Sequence, residues 1–220
     1  MKQILTWLII AICVSTANGQ SPLIIPPALS GTTFNLTVQS GTHTFFPGYS
    51  TPTYGVNGAF LGPTLIINQG DSVHLNVTNS LPVTTTMHWH GLHVPAMADG
   101  GPEQIISPGT TWQPVIKMMN NAGTYWYHPH GEGKTDLQVS KGIAGMIIVK
   151  DPVEAALTLP RTYGVDDFPV IVQTKAFDVL RQIAIATEDD TLLMVNGTLD
   201  PYLDAPAQVV RLRLLAGSSM

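Results

Sequence analysis

Short apolar runs that alternate with polar positions recur along most of the chain, and Gly, Pro and Asn separate them. In segment 72–78 every second residue is apolar, which is typical of a strand with one buried and one wet face. A spacing of about ten residues between such runs predicts a β-sandwich or a Greek-key barrel, and no amphipathic helix is predicted before residue 150. The predicted strands are 33–38, 64–68, 72–78, 86–90, 112–118, 124–128 and 143–149.

A second β unit is predicted after the apolar run 143–149, which ends at Lys150-Asp151-Pro152. Its predicted strands are 168–174, 192–195 and 209–215, and Asn196-Gly197 is typical of a hairpin turn. These strands are too few to close a second sandwich. We therefore expect a first domain at 20–152 and the truncated start of a second at 153–220, either in a partial gene product or in a chain that a partner completes.

The first residues, 1–19, are predicted to be a secretory signal peptide. Lys2 precedes the apolar run 4–14, and Ala17-Asn18-Gly19 is a small-x-small cleavage pattern. The run is shorter than the ~20 residues that span a bilayer, so no membrane span is predicted. We expect an exported protein, periplasmic or secreted, and a mature chain without cysteine, because the one cysteine is Cys13.

Composition and charge exclude several classes of protein. Hydrophobic residues make up 44% of the 220 residues and charged residues 11%, which excludes a disordered chain or a coiled coil. The formal net charge is -5, and no run of Lys or Arg occurs. Nucleic acid and anionic membrane surfaces are therefore not expected as partners.

Two paired-histidine motifs, His88-Trp89-His90 and His128-Pro129-His130, hold four of the seven histidines, and Gly follows each pair. Residues i and i+2 of a strand lie ~6.7 Å apart on one face, so each pair presents two parallel imidazoles. Two such strand ends side by side would point four imidazoles at one volume, while Trp89 would face the core. Imidazole without thiolate suits copper, zinc, iron or nickel, so the residues alone leave the metal open.

The other histidines carry less information. His93 is predicted to be a surface or channel residue rather than a ligand, and His43 and His74 are predicted to be solvated. A mononuclear zinc or iron β-fold enzyme would also use His-x-His plus a third His. The second His-x-His exceeds what one ion needs, and no Glu or Gln follows the pair at cupin spacing.

Segment 58–151 resembles the first cupredoxin-like domain of multicopper oxidases, nearest to the bacterial laccase and cuprous oxidase branch. The matching motifs are Leu61-Gly62-Pro63-Thr64, His88-Trp89-His90-Gly91-Leu92, Asp99-Gly100-Gly101-Pro102, Tyr125-Trp126-Tyr127-His128-Pro129-His130-Gly131 and the final run 142–149. Val195-Asn196-Gly197 and segment 211–215 resemble the start of the second domain. The resemblance implies an all-β fold, a cupredoxin-like Greek-key sandwich or barrel followed by an incomplete second cupredoxin-like domain.

The resemblance also implies roles for individual residues. His88 would ligate a type 2 copper, and His90, His128 and His130 a type 3 pair. Together these coppers form the trinuclear cluster that reduces dioxygen to water with electrons from a phenol or metal-ion donor. Asp99 matches an acid beside the cluster that relays protons, although a turn carboxylate before Gly100 explains it equally well.

The sequence departs from the family in what it lacks. Neither the His-Cys-His nor the His-Pro-x-His-x-His region that supplies the type 1 copper and the other cluster ligands occurs in these residues. Missing C-terminal domains or a partner chain would have to supply them, so the isolated chain is expected to be inactive. The alternative is a non-enzymatic copper-binding or copper-tolerance protein of the cell envelope.

Overall fold

The computed structural model describes residues 21–185 and 190–219, so the predicted signal peptide lies outside the described residues. The described chain is built almost entirely of strands. In chain order they are β1 (Ser21–Pro22), β2 (Ala28–Ser30), β3 (Thr33–His43), β4 (Thr51–Val56), β5 (Thr64–Asn68), β6 (Ser72–Asn79), β7 (His88–His90), β8 (Thr111–Trp112), β9 (Val115–Lys117), β10 (Gly123–His128), β11 (Gly145–Lys150), β12 (Asp167–Phe177), β13 (Ile183–Ala184), β14 (Leu192–Val195), β15 (Thr198–Leu199), β16 (Pro201–Tyr202) and β17 (Arg211–Ala216). Two short helices are α1 (Thr135–Ser140) and α2 (Pro152–Ala155), and Ala96–Ala98 forms a 3-10 turn. No helix in the described ranges is long and apolar enough to cross a membrane.

Two five-stranded sheets form a sandwich in the first part of the chain. One sheet has the order β2-β5-β11-β10-β7, and the other has the order β4-β3-β6-β8 with β9 also paired to β6. Their facing side chains form one buried cluster that includes Leu36 and Leu75 from the second sheet and Ile67 and Ile147 from the first. Trp89 lies in this core and is fully buried, as predicted. The predicted all-β sandwich is confirmed.

Strand β11 explains why one apolar run shows no alternation. Ile147 and Val149 belong to the core of the sandwich, whereas Met146 and Ile148 belong to a second buried cluster with Ile171 of β12. A strand that is buried on both faces needs apolar residues at every position. One face of β11 therefore packs in the core of the sandwich, and its other face packs against the strands that follow residue 150.

A third sheet contains the later strands. Strand β12 pairs with β17 on one side in parallel and with β14 on the other in antiparallel orientation, and β15 continues from β14. Asn196 and Gly197 join β14 to β15 with φ values of 50° and 78°, which confirms the predicted hairpin turn. Leu212 and Leu214 of β17 are 50% and 69% exposed. The division into domains at 152 stays a prediction.

Two local predictions are wrong, and one strand is missed. The predicted strand 112–118 is two strands, β8 and β9, because Pro114 has no N–H to donate to the ladder. Strand β4 was not predicted, since Pro52 and Gly55 weaken its strand pattern. Helix α1 lies in a region where no helix was predicted, and its six residues are too few to display a 3.6-residue period.

Candidate metal centre

Neighbouring strands bring the two histidine motifs together. Strands β7 and β10 pair antiparallel, with His88 opposite His128 and His90 opposite Trp126. The ring centroids of His88 and His128 lie 5.4 Å apart, and those of His90 and His128 lie 5.3 Å apart. His90 and His128 are 38 residues apart in the chain, but this strand pairing brings them together. The imidazoles therefore share a small volume.

Backbone carbonyls fix the protonation of two of these rings. Nδ1 of His88 lies 2.9 Å from the main-chain oxygen of Asp99, and Nδ1 of His128 lies 2.8 Å from the main-chain oxygen of Pro129. A carbonyl oxygen can only accept, so in each neutral ring Nδ1 carries the hydrogen and Nε2 carries a free lone pair. Such carbonyl bonds are the usual way in which a metal-ligating histidine is oriented.

His90 faces the histidine group with Nδ1, whereas His128 faces it with Nε2. Nδ1 of His90 lies 3.1 Å from Nε2 of His128, which is the unprotonated nitrogen of that ring. Without a metal, Nδ1 of His90 therefore donates to His128. Two nitrogens that bind one ion at ~2.0 Å each lie roughly 3 Å apart, so this pair of atoms suits one shared transition-metal ion.

Three of the four histidines form the tightest group. Potential ligand atoms of His88, His90 and His128 all lie within 4.8 Å of one another. The fourth, His130, follows the end of β10, and its ring centroid is 5.3 Å from that of His88 and 6.0 Å from that of His128. Thr86 holds it in place, since its Oγ1 accepts the main-chain N–H of His130 at 2.6 Å.

The surroundings of His90 and His128 favour their neutral form. Burial, with a smaller contribution from positive charge on the neighbouring histidines, lowers the pKa of His128 to about 4. The pKa of His90 is also lowered, first by partial burial and then by His88 and His130. Neutral imidazoles are the form that binds metals. The donor set therefore fits a copper ion, although imidazole alone does not distinguish copper from zinc.

Asp99 lies next to the site through its backbone. Its main-chain oxygen orients His88, and its carboxylate Oδ1 lies 3.3 Å from the same Nδ1 with the side chain 39% exposed. The following Gly100 has a φ of 76°, and a Cβ there would lie 1.7 Å from the main-chain oxygen of Met87. Only glycine allows this loop to lie against β7, so Gly100 positions Asp99 beside His88.

Sequence reasoning missed the role of Trp126. Its ring centroid lies 4.1 Å from that of His128 and 5.3 Å from that of His90. The indole therefore forms one wall of the histidine group and restricts the orientation of both rings. The signal was present in the sequence, because Trp126 and His128 are two residues apart in one strand and so face the same way.

The remaining histidines lie outside this group. His74 and His93 are exposed, as predicted, and the main-chain N–H of His93 donates to Asn120. The prediction that His43 is solvated is wrong. Its ring is half-buried between Phe45 and Phe60, with centroids 4.5 and 5.2 Å away, because β3 extends to His43 and continues into the aromatic cluster.

Comparison with known proteins identifies the family. A family model described as multicopper oxidase matches residues 37–154, which is more than half of the chain. The chain therefore belongs to the multicopper oxidase family. The structure aligns with a laccase-like multicopper oxidase, CueO, from Ochrobactrum sp. with a TM-score of 0.83 and 38% identity, covering 90% of this chain and 47% of that one. The predicted cupredoxin-like fold is thereby confirmed.

Curated relatives carry two different names. The cell division protein FtsP of Escherichia coli (strain K12) is 41% identical over 214 residues, covering 93% of this chain and 45% of the relative. The multicopper oxidase mco of Staphylococcus aureus is 35% identical over 219 residues, covering 94% of this chain and 48% of the relative. The chain thus spans about half the length of the curated relatives it matches.

Proposed function

We propose that this chain supplies the N-terminal half of the ligand set of a copper oxidase. His88, His90, His128 and His130 would hold copper, with His88 at a type 2 ion and the other three at a type 3 pair. The observation that carries the proposal is the pair of carbonyl bonds at Nδ1 of His88 and His128, which leave both Nε2 lone pairs free, in a group whose ligand atoms lie within 4.8 Å of one another. Histidines with a purely structural role need no such clustering of free lone pairs.

Each residue has a task in this proposal. His88 and His128 bind through Nε2, and the Asp99 and Pro129 carbonyls hold their rings in place. His90 binds through Nδ1, which requires that the hydrogen now between His90 and His128 moves to Nε2 of His90. His130 is exposed at the end of β10, where its ring can turn toward an ion. Trp126 limits access from one side.

Bound copper would supply one-electron transfer and dioxygen reduction, with a phenol or metal ion as the electron donor. Four imidazoles cannot give three coppers two or more protein ligands each. The remaining ligands and a type 1 centre would come from chain segments beyond these 220 residues or from a partner. We therefore expect the isolated chain to bind copper without turnover. Asp99, half-exposed beside His88, would hold or pass a proton at Oδ1.

A second candidate function is a role in cell division. It is favoured by the 41% identity to a relative that is named a cell division protein. In that case the shape of the sandwich would matter, and the histidine group would not. An exported location, expected from segment 1–19, is compatible with both candidates and is part of the proposal.

Copper binding by the purified 220-residue chain tests the proposal. Isothermal titration with Cu²⁺ and metal analysis after dialysis should find tight binding, and electron paramagnetic resonance should detect nitrogen ligands. Replacement of His88, His90, His128 and His130 by Ala should abolish it. The matched control replaces His74 and His93, which are exposed and outside the group, and should bind like the wild type. Equal binding by the fourfold variant would refute the proposed ligands.

The same preparations separate the two candidate functions. If the proposal is correct, ¹⁵N spectra of the metal-free chain should detect hydrogen on Nδ1 of His88 and His128, and Cu²⁺ should broaden these signals first. A chain that serves only as a structural part of a division complex should retain its partner binding in the fourfold variant and show no preference for copper over magnesium.

A further inference from the structure

An apolar cavity of about 230 Å³ lies at the junction of the sandwich and the third sheet. Its walls come from the N-terminal segment 24–29, from the loop 56–63 that follows β4, and from the hairpin turn at Asn196. Its lining includes Ile24, Leu29, His43, Gly58, Phe60 and Leu61, and none of the described residues that line it belongs to the histidine group or carries a fixed charge.

Positive φ values are concentrated around this cavity. Five non-glycine residues among the described ones have a positive φ, and three of these line the cavity: Asn57 at 54°, Leu61 at 55° and Asn196 at 50°. The two asparagines each precede a glycine and tolerate this conformation, so Leu61 is the strained residue. A bulky residue such as Leu61 in this conformation is uncommon and costs free energy, which the surroundings must offset. Such strain is found at ligand sites more often than in ordinary loops.

Hydrogen bonds hold the walls in place. The amide of Asn57 accepts from the main-chain N–H of Thr37 at 2.6 Å and donates to the main-chain oxygen of Asn35 at 2.8 Å. The amide of Asn196 donates to the main-chain oxygens of Ile24 and Pro169 at 2.8 and 2.9 Å. Because both side chains are fixed, the cavity is preformed, as small-molecule sites usually are.

Among the described residues of the lining, His43 is the one titratable group. Its Nε2 lies 2.9 Å from the main-chain oxygen of Gly197 and must donate to it. Burial lowers the pKa of His43, so the ring is neutral at pH 7 and Nδ1 is an acceptor. Among the described residues Nδ1 has no hydrogen-bond partner, and Phe45 and Phe60 hold the ring in position.

Volume and chemistry limit what this cavity can bind. An apolar cavity of about 150 Å³ is large enough for benzene, so this one has room for a single ring with one or two small substituents. The absence of a fixed charge in the lining disfavours an ionic ligand. The free acceptor on His43 favours a ligand with one hydrogen-bond donor.

We propose that this cavity is a binding site for a small neutral aromatic alcohol, with the ring between Leu29 and Phe60 and the hydroxyl donating to Nδ1 of His43. The site is independent of copper, because it shares no residue with the histidine group. Its ligand has the same chemistry as the phenol donor of the proposed function, but the proposed copper ligands are tested separately, so failure of binding here leaves the copper proposal untouched.

Two probes of nearly the same shape test the proposal on the metal-free 220-residue chain. p-Cresol carries the hydroxyl and p-xylene has a methyl group in its place. In nuclear magnetic resonance titrations we expect p-cresol to bind about fivefold more tightly, which is the effect of one neutral hydrogen bond. His43→Leu should reduce this ratio to about one, whereas His74→Leu, at an exposed position, should leave it unchanged.

Variants that fill the cavity provide a second test of the proposal. A Cβ at Gly58 would meet only the main-chain oxygen of Val56, at 3.9 Å, so Gly58→Leu can enter the cavity without backbone strain. It should weaken binding of both probes at least tenfold, and Ile24→Trp, at a half-exposed lining position, serves if Gly58→Leu does not fold. The proposal is overturned if p-cresol fails to bind, if both filled variants bind it normally, or if His43→Leu keeps the fivefold ratio.

Discussion

The Nδ1–H of His88 donates to the main-chain oxygen of Asp99 at 2.9 Å, while the carboxylate of Asp99 stays 3.3 Å from the same nitrogen. The carbonyl, rather than the acid, is thus the group that orients the ring. The carboxylate is 39% exposed, so water screens its charge. Binding of an ion by His88 should therefore depend on the position of the Asp99 backbone more than on its side chain.

Asp99→Asn should leave copper affinity within about fivefold of the wild type, since the attraction between a half-exposed carboxylate and a nearby positive charge is worth about 1 kcal/mol or less. Isothermal titration with Cu²⁺ is the measurement, and His88→Ala serves as the positive control for loss of a ligand. A hundredfold loss in Asp99→Asn would mean that the carboxylate itself binds the ion or fixes the ring.

Gly100→Ala, unlike Asp99→Asn, should weaken copper binding and destabilise the protein. The new Cβ would collide with the main-chain oxygen of Met87 at 1.7 Å, which forces the Asp99 loop away from β7. We expect a loss of about 3 kcal/mol or more in the free energy of unfolding, together with weaker copper binding. Gly109→Ala is the matched control, because Gly109 has a similar φ of 73° and nothing within 4 Å of the new Cβ.

Urea unfolding measures both variants. Gly109→Ala should lower the free energy of unfolding only through the unfavourable φ, which costs about 1–2 kcal/mol. If Gly100→Ala is no less stable than Gly109→Ala, the contact with Met87 is not tight and Gly100 does not position Asp99.

The sequence was sufficient to predict the strands whose pattern follows directly from burial. Segment 72–78 alternates because β6 has one face in the sandwich core, and Asn196-Gly197 forms its turn because both residues tolerate a positive φ. The paired histidines could be placed on one face for the same reason. These features depend on neighbours in the chain, which a sequence displays.

Features that depend on distant segments could not be predicted in this way. The burial of His43 results from Phe60, Phe45 and the Gly197 carbonyl, which no local pattern brings to it. The contact between Nδ1 of His90 and Nε2 of His128 depends on the strand register between β7 and β10. The cavity at the junction likewise arises from three segments far apart in sequence.

A buried ion pair connects two strands of the third sheet. Asp167 of β12 accepts two hydrogen bonds from Arg213 of β17, both at 2.7 Å, and the side chains are 5% and 4% exposed. Asp167→Ala would leave the guanidinium buried without its partner, which typically costs 3–5 kcal/mol. We expect a loss of about that size in chemical denaturation.

Arg161→Ala is the control for this prediction. Arg161 is 34% exposed and lies 3.5 Å from Glu154, so its loss should cost about 1 kcal/mol or less. The double variant Asp167→Leu with Arg213→Met should recover most of the lost stability, because it removes both charges. Equal effects of Asp167→Ala and Arg161→Ala would contradict the structural role given to the buried pair.

Lys175 gives the third sheet a dependence on pH. It is 1% exposed, and its Nζ has no hydrogen-bond partner among the described residues. Burial lowers its pKa to about 8, against the opposing effect of Asp190 and Asp136. Between pH 8 and about 10.5 the unfolded chain holds a proton that the folded chain does not, so stability from this group rises with pH.

Lys175→Met should therefore remove this rise and make the protein more stable at pH 7, by up to roughly 3 kcal/mol. Urea unfolding between pH 7 and 9.5 is the measurement. Higher pH is avoided because burial raises the pKa of Tyr163 to about 12, which makes stability fall once unfolded tyrosine ionises near pH 10. Lys117→Met, at an exposed position, should keep the wild-type slope. The same slope in Lys175→Met and wild type would mean that Lys175 keeps its proton in the folded protein.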